Sequence, residues 1–159
     1  MPRRGGVKPR LVEPDPIYKN KLVTKLINRS MRDGKKSVTQ KQIYKALEII
    51  RDKAKEDPIK FFSEAIENIK PNMEIRPRRI GGAAYQVPVQ VKGLRRESLA
   101  IRWLIAAARA RSNSEYHSYA EKLAAELMDA KNDEGGAAKK RKDVEKMAEA
   151  NRAFAHFRW

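Results

Sequence analysis

The chain has 159 residues, and its 36 lysines and arginines against 20 acidic residues give a formal net charge of +16. This length predicts one domain with a modest core, and the surplus of positive charge predicts a polyanionic partner. The absence of cysteine excludes disulfides and thiolate metal sites. The sequence contains no run of about 18 or more apolar residues, so it does not indicate a membrane span.

Residues 1–14 are predicted to form a flexible basic arm. They contain three prolines and two glycines, and only Glu13 opposes their positive charge. A segment with so little to bury should become ordered only on a partner. The cations of the arm are Arg3, Arg4, Lys8 and Arg10.

Three helices are predicted to follow the arm. Asp15-Pro16 marks the start of the first, either as its cap and first turn or as a turn just before it. An apolar stripe of helical period covers residues 22–31, and Gly34 is expected to end this helix. The second helix should follow Ser37. The third should open at Asp57-Pro58 and end before a further proline at position 71.

The apolar period then changes from 3.6 to 2, which predicts a β-ribbon over about residues 73–91. Tyr85 and three valines alternate with glutamine and proline, and Gly81-Gly82 supplies a turn. Pro77 and Pro88 cannot donate ladder hydrogen bonds, so a free-standing ribbon is favoured over a larger sheet.

Three more helices complete the predicted body. Residues 94–111 form a long apolar helix that should be central, and Ser118 with Glu121 forms a capping box that opens the fifth. Residues 132–136 interrupt the helical pattern, and the sixth helix should start near Ala137. The fold class is therefore mainly α: residues 15–159 form one six-helix, bundle-like domain with a protruding β-hairpin arm.

The sequence does not indicate an enzyme. It contains two histidines and no glycine-rich phosphate loop in a strand–loop–helix context, and its acidic residues are spread along helix surfaces. We therefore expect neither a catalytic site nor a metal or other cofactor.

The cations of the ribbon predict contact with nucleic acid. Arg76, Arg78 and Arg79 lie within four positions of one another, and Arg95 and Arg96 follow the second strand. Guanidinium groups bind phosphate through two parallel hydrogen bonds and stack on bases. Charge on a lone hairpin could instead prevent edge-to-edge aggregation. Lysine would serve that purpose equally well, so nucleic-acid contact is favoured.

Other cationic and aromatic segments leave alternatives open. Lys35 and Lys36 could bind phosphate or complement a helix dipole, and the run of four cations at residues 139–142 could contact a partner or be solvated. Four consecutive residues cannot share one helix face. The aromatic side chains near the C-terminus could pack on the body or stack on a partner; they are Phe154, His156, Phe157 and Trp159.

Three segments together resemble the bacterial-type family of small-subunit ribosomal protein seven. They are residues 15–36, the ribbon sequence Arg-Arg-Ile-Gly-Gly-Ala-Ala-Tyr-Gln-Val-Pro-Val of residues 78–89, and residues 99–104 together with the tail 147–159. The resemblance implies six helices with a β-arm. It also implies a structural protein of the small subunit, in a cytoplasmic or organellar ribosome, that binds the 3′ major domain of 16S rRNA and nucleates the subunit head.

The resemblance further implies a position near the decoding centre, beside exit-site tRNA and nearby mRNA. It implies that ribosomal proteins nine and eleven of the small subunit are neighbours of this protein. The protein would be a monomer within the ribosome and would contact no membrane. The rRNA-binding residues so indicated are Arg3, Arg4, Lys8, Arg10, Lys35, Lys36, Arg76, Arg78, Arg79, Arg95, Arg96 and Arg102. Those near tRNA are Gly81, Gly82, Ala83, Lys139, Lys140 and Lys142, and tail contacts are assigned to Phe157, Arg158 and Trp159.

The sequence departs from the family pattern in two places. Gln42 replaces a usually apolar residue, so the buried face of the second helix should start one position later. The loop of residues 112–117 is longer and less basic than usual, and no RNA contact is assigned to it. The alternative function is that of an architectural DNA-binding protein with a basic β-arm. A nuclease would lack a plausible acid–base pair.

Overall fold

The computed structural model describes residues 11–157 and confirms a mainly helical fold with a two-stranded hairpin. Residues 1–10 of the predicted arm, together with Arg158 and Trp159, lie outside the described residues. Of the described helices, none is long and apolar enough to cross a membrane. The elements are α1 Lys21–Ser30, α2 Lys36–Ala54, α3 Pro58–Ile69, β1 Met73–Ile80, β2 Ala83–Gln90, α4 Leu94–Ala110, α5 Tyr119–Lys131, α6 Gly135–Ala150 and a 3₁₀ helix Arg152–Phe157, here called the C-terminal turn.

Asp15 organises a turn that precedes α1. Its carboxylate accepts hydrogen bonds from the backbone N–H groups of Ile17 and Tyr18, and from the Tyr44 hydroxyl at 2.8 Å. The side chain of Asn20 then caps α1 by accepting from the N–H of residue 22. Of the two predicted roles for Asp15-Pro16, the turn ahead of the helix is therefore confirmed.

The end of α1 differs from the prediction. The helix stops at Ser30, and Met31 is already extended, whereas Gly34 lies in the following turn with φ of +71°. In α2 the first buried side chain is Ile43, one position after Gln42, as predicted. The amide oxygen of Gln42 accepts a hydrogen bond from the N–H of Ala120, so this polar residue joins α2 to α5.

Two helices share the centre of the body, where the sequence predicted only the fourth. α4 contacts α1, α3, α5 and α6, while α5 contacts α2, α3, α4 and α6. The small buried side chains Ala120, Ala124 and Ala130 alternate along α5 with the buried Leu123 and Leu127, and their small size lets neighbouring helices approach closely. Alanine contributes little to an apolar pattern, which explains why the sequence did not single out α5.

The start of α6 is fixed by a buried carboxylate of α5. Glu126 is 1% exposed, and one of its oxygens accepts the Ala137 N–H at 2.8 Å. The other oxygen accepts from Arg111, just after α4. Gly135 has φ of +82°, and a Cβ there would meet the Glu126 carboxylate at 3.0 Å. These constraints start α6 two residues before the predicted position.

The ribbon is antiparallel, with Ile80 opposite Ala83 and Met73 opposite Gln90. Gly81 and Gly82 have φ of +57° and +90°, as a two-residue turn of type I′ requires. The sheet has two strands, as predicted. The ribbon is not free-standing along its whole length, however, because β1 and β2 contact α6 and β2 also contacts the C-terminal turn.

Candidate nucleic-acid interface

The outer half of the ribbon presents guanidinium groups on both of its faces. Arg78 and Arg79 are exposed neighbours on β1, and successive side chains of a strand point to opposite faces. Beyond them, Gly81, Gly82 and Ala83 are exposed at the tip. This part of the ribbon can therefore approach phosphates from either side, with a tip narrow enough to enter a groove.

At the base of the ribbon, a buried carboxylate holds two further arginines. Glu74 is 7% exposed, and the Nε and Nη2 atoms of Arg95 lie 2.8 Å from its oxygens, while Arg76 donates to it from the same strand. Burial tends to raise the pKa of Glu74, but hydrogen bonds from Arg95 and Arg76 outweigh it and lower that pKa below its usual value. The arginine side chains remain about half exposed.

Arg96 also has a structural contact. It donates to the backbone oxygen of Pro71 at 3.1 Å and to the amide oxygen of Asn72 at 2.9 Å. Arg76, Arg95 and Arg96 are thus fixed by protein acceptors around the ribbon base. Fixing a guanidinium in this way lowers the entropy cost of binding a ligand with its remaining donors.

The four cations of residues 139–142 separate into two pairs, which confirms that they do not share one face. Lys139 and Lys140 are exposed. Arg141 donates to the backbone oxygen of Asn68 at 2.7 Å, and both Arg141 and Lys142 form ion pairs with Asp133. The hydrogen bond from Lys142, with the two nearby positive charges, lowers the pKa of Asp133.

The aromatic side chains of the C-terminal turn pack against the ribbon. The rings of Phe154 and Phe157 both lie close to the Tyr85 ring, at centroid distances of 5.4 and 5.3 Å, and the His156 ring lies 4.0 Å from that of Phe157. The sequence left packing on the body and stacking on a partner open. In the described part of the tail, packing occurs, and its target is the ribbon.

The remaining predicted cations lie on other elements. Lys35 and Lys36 are exposed at the start of α2, and Arg102 is exposed on α4. Lys35 also lines a cavity that contains three cations the sequence analysis missed: Arg32, Arg109 and Lys122. They come from segments far apart in the chain. The only local signal was the position of Arg109 in the last turn of a helix.

Within residues 11–157, no group of three or more histidine and acidic side chains is placed to hold a metal ion. The ribbon, α4, α6 and the α1–α2 turn each present exposed positive charge. Arginine and lysine at these sites can bind phosphate groups on several sides of the body.

Comparisons with known proteins agree with this surface. Residues 2–152 match the sequence model of the family described as ribosomal protein S7p/S5e. The chain is 60% identical to small ribosomal subunit protein uS7 of Carboxydothermus hydrogenoformans and 58% identical to that of Thermoanaerobacter pseudethanolicus. It is 57% identical to uS7 of Moorella thermoacetica. Each similarity covers 100% of this chain and 100% of the relative.

Proposed function

The chain belongs to the ribosomal protein S7p/S5e family, and we propose that it binds the 3′ major domain of 16S rRNA directly and nucleates assembly of the subunit head. Family membership makes it an rRNA-binding ribonucleoprotein component of the small ribosomal subunit with a part in translation. We further propose that its role is structural, without catalysis or cofactor, in cytoplasmic ribosomes.

The observation that carries the proposal is the distribution of exposed cations over separate elements. Arg78 and Arg79 lie on the ribbon, Arg102 on α4, and Lys139 with Lys140 on α6. A single duplex presents phosphates along two nearly parallel ridges, whereas a folded RNA surrounds a protein with phosphates from several helices. Cations on a ribbon and on separate helices suit the second geometry.

We assign the finer positions by the same reasoning. The exposed tip at Gly81, Gly82 and Ala83 is proposed to border exit-site tRNA and nearby mRNA, together with Lys139, Lys140 and Lys142. A narrow backbone tip with little side-chain bulk can approach a nucleic acid closely. The body would then lie near the decoding centre, with ribosomal proteins nine and eleven of the small subunit as neighbours.

The test is equilibrium binding of the full chain to a transcribed 3′ major domain and to duplex DNA of equal length. We expect tighter binding to the folded RNA, with a log–log salt slope that gains about 0.7–0.9 for each phosphate neutralised. Equal or higher affinity for the duplex would favour the architectural DNA-binding alternative. An affinity for RNA that salt does not change would contradict the phosphate contacts.

A reconstitution experiment tests the proposed part in assembly. Small subunits assembled from purified components without this chain should lack ribosomal proteins nine and eleven in the head, while the rest of the particle forms. Adding the chain should restore both proteins. Normal incorporation of the two proteins without it would contradict nucleation while leaving RNA binding intact.

A further inference from the structure

A basic pocket of about 410 Å³ opens between the α1–α2 turn, the end of α4 and the start of α5. Four cationic side chains line it: Arg32, Lys35, Arg109 and Lys122. None of the described residues that line this pocket is acidic. It is therefore a concave site with concentrated positive charge, in contrast to the convex cationic surface of the ribbon.

Of the four cations that line the pocket, Lys122 is the most deeply buried. Lys122 is only 8% exposed, and its Nζ donates to the backbone oxygen of Arg111 and the amide oxygen of Asn113. Both acceptors are neutral. By contrast, Arg111, whose side chain is 17% exposed, forms ion pairs with Glu126 and Asp129. A buried charge normally has a counterion, so an anionic ligand would complete the environment of Lys122.

The acidic residues nearest along the chain do not neutralise the pocket. Glu121 is committed to the capping box, where its carboxylate accepts the His117 N–H at 3.0 Å. Glu115 and Asp33 are exposed and do not line the cavity. The start of α2 adds positive potential, because a helix N-terminus carries partial positive charge. Lys35 occupies its N-cap without a side-chain cap bond, and Val38 and Thr39 of the first turn also line the pocket.

Hydrogen bonds hold the walls in place. The Nη2 atom of Arg109 donates to the backbone oxygen of Ser30 at 2.8 Å, and the Ser30 hydroxyl lies 3.2 Å from that of Tyr119. Burial raises the pKa of Tyr119, and the hydrogen bond with Ser30 and the positive charges of Arg109 and Arg32 partly oppose that rise. The site is thus formed before any ligand arrives, which reduces the ordering cost of binding.

The pocket also offers surfaces for a flat, apolar group. Tyr119 and Val38, which is 55% exposed, both line it. Its volume falls in the range of sites for small organic ligands, which begins at about 300 Å³. Unpaired bases of RNA stack on aromatic side chains, while arginine binds the adjoining phosphate. Charge and apolar surface together suit a nucleotide better than a phosphate alone.

We propose that the basic pocket receives one unpaired nucleotide turned out of the rRNA. Its phosphate supplies the counterion of Lys122 and binds Arg32, Lys35 and Arg109. The base lies against Tyr119 and Val38. This inference rests on the proposed function for the identity of the RNA. It adds a site where a single base is inserted into the protein, at residues to which the family resemblance assigned no base contact.

The first test uses the full chain and free ligands. Amide chemical shifts are followed by NMR during titration with 5′-AMP, 5′-UMP, inorganic phosphate and adenosine. We expect the mononucleotides to shift the signals of Arg32, Val38 and Tyr119 and to bind about ten-fold more tightly than phosphate or adenosine. If phosphate bound as well as the mononucleotides, or no ligand shifted these signals, the nucleotide pocket would be excluded.

The second test compares variants on the transcribed 3′ major domain. Arg32→Gln/Arg109→Gln removes two pocket charges, and Lys53→Gln/Lys60→Gln removes two exposed charges from α2 and α3 as a matched control. The pocket variant should lose about ten-fold or more in affinity, and the control much less. Chemical probing should show one unpaired base that is protected by the wild-type chain and the control but reactive with the pocket variant.

The two proposals fail in distinguishable ways. If the wild-type chain does not bind the RNA, the proposed function fails, whatever the mononucleotide titration shows. If the wild-type chain binds but both variants give the same affinity and the same protected bases, the RNA contact stands and the pocket proposal is overturned. Circular dichroism and an Arg109→Lys variant, which keeps the charge, exclude loss of fold as the cause.

Discussion

The ring of Tyr85 in β2 lies 5.4 Å from the ring of Phe154 in the C-terminal turn, with an interplanar angle of 55°. This contact joins the ribbon to a segment about 70 residues away in the chain. An aromatic pair of this geometry contributes more to stability than its buried area alone. The ribbon therefore has a support from outside its own ladder. Aromatic packing thus helps to hold the ribbon against the C-terminal turn.

Tyr85→Ala should release the C-terminal turn while the helical body stays folded. The loss of contact with Phe154 and Phe157 should speed amide exchange across residues 152–157, with a cost of about 1–3 kcal/mol to the local opening free energy. Tyr85→Phe keeps the ring and serves as the control. Unchanged exchange in the alanine variant would show that the ring contacts do not hold the turn.

Glu74→Gln should make stability less dependent on acid pH. The pKa of Glu74 is lowered from its ordinary 4.5 in the folded protein, so its stabilising contribution is present above that ordinary value and is lost as pH falls through the lowered folded pKa. At about pH 6 the variant should be less stable than the wild type by about 1–3 kcal/mol, since charge-assisted hydrogen bonds to Arg95 and Arg76 are weakened. The difference should shrink towards about pH 3.

Urea denaturation at both pH values measures this effect. Glu145→Gln is a suitable control, because Glu145 is an acidic residue of α6 that also pairs with an arginine but is more exposed. A constant difference between Glu74→Gln and wild type across the pH range would contradict the assigned ionisation.

Arg78→Ala/Arg79→Ala should weaken rRNA binding more than Lys139→Ala/Lys140→Ala. Guanidiniums on a braced ribbon form planar, two-point contacts with phosphate, whereas ammonium groups on a helix face are flexible point charges. The arginine pair should cost about 1–3 kcal/mol for each strong contact. Filter binding at two salt concentrations measures both losses. Equal losses from the two pairs would reverse this ranking.

Gly81→Val/Gly82→Val should splay the ribbon tip and leave the body folded. Both positions have positive φ and open space around them, so backbone conformation and not crowding is the obstacle for a β-branched side chain. Gly81→Asn is the control, because asparagine tolerates this region and suits the first position of a type I′ turn.

The readout for the tip variants is cross-strand contact between Ile80 and Ala83 by NMR, followed by footprinting of exit-site tRNA on reconstituted subunits. The valine variant should enter subunits yet leave the tRNA abnormally protected. Normal protection with a demonstrably open tip would remove the tip from the proposed tRNA contact.

The ribbon and several helix boundaries were predictable because their signals are local. Alternation of apolar residues around Gly81-Gly82 specifies a hairpin in any context, and Asp57-Pro58 supplies a cap and a first turn to α3, where the Asp57 side chain accepts the Ile59 N–H. The capping box of Ser118 and Glu121 formed for the same reason.

The basic pocket and the role of Glu74 could not be predicted, because tertiary packing creates both. Arg32, Arg109 and Lys122 are brought together by contacts of α1 with α4 and of α4 with α5. In the sequence, Glu74 is one acidic residue in a cationic strand, yet its burial and its ion pair with Arg95 fix the base of the ribbon. Neither the partner nor the burial of a side chain follows from its neighbours in sequence.

The pairing of the ribbon has a consequence for the kinetics of folding. Its strands pair residues that are 3 positions apart at the turn, Ile80 with Ala83, and 17 apart at the base, Met73 with Gln90. The body instead depends on contacts such as Lys25 with Glu97 and Gln42 with Ala120, which are 72 and 78 positions apart. Short loops close fast and long ones slowly. The tip of the ribbon, beyond the part that packs on the body, can therefore open and re-form many times during the lifetime of one folded body. The search for the distant contacts of the body sets the folding rate of the chain.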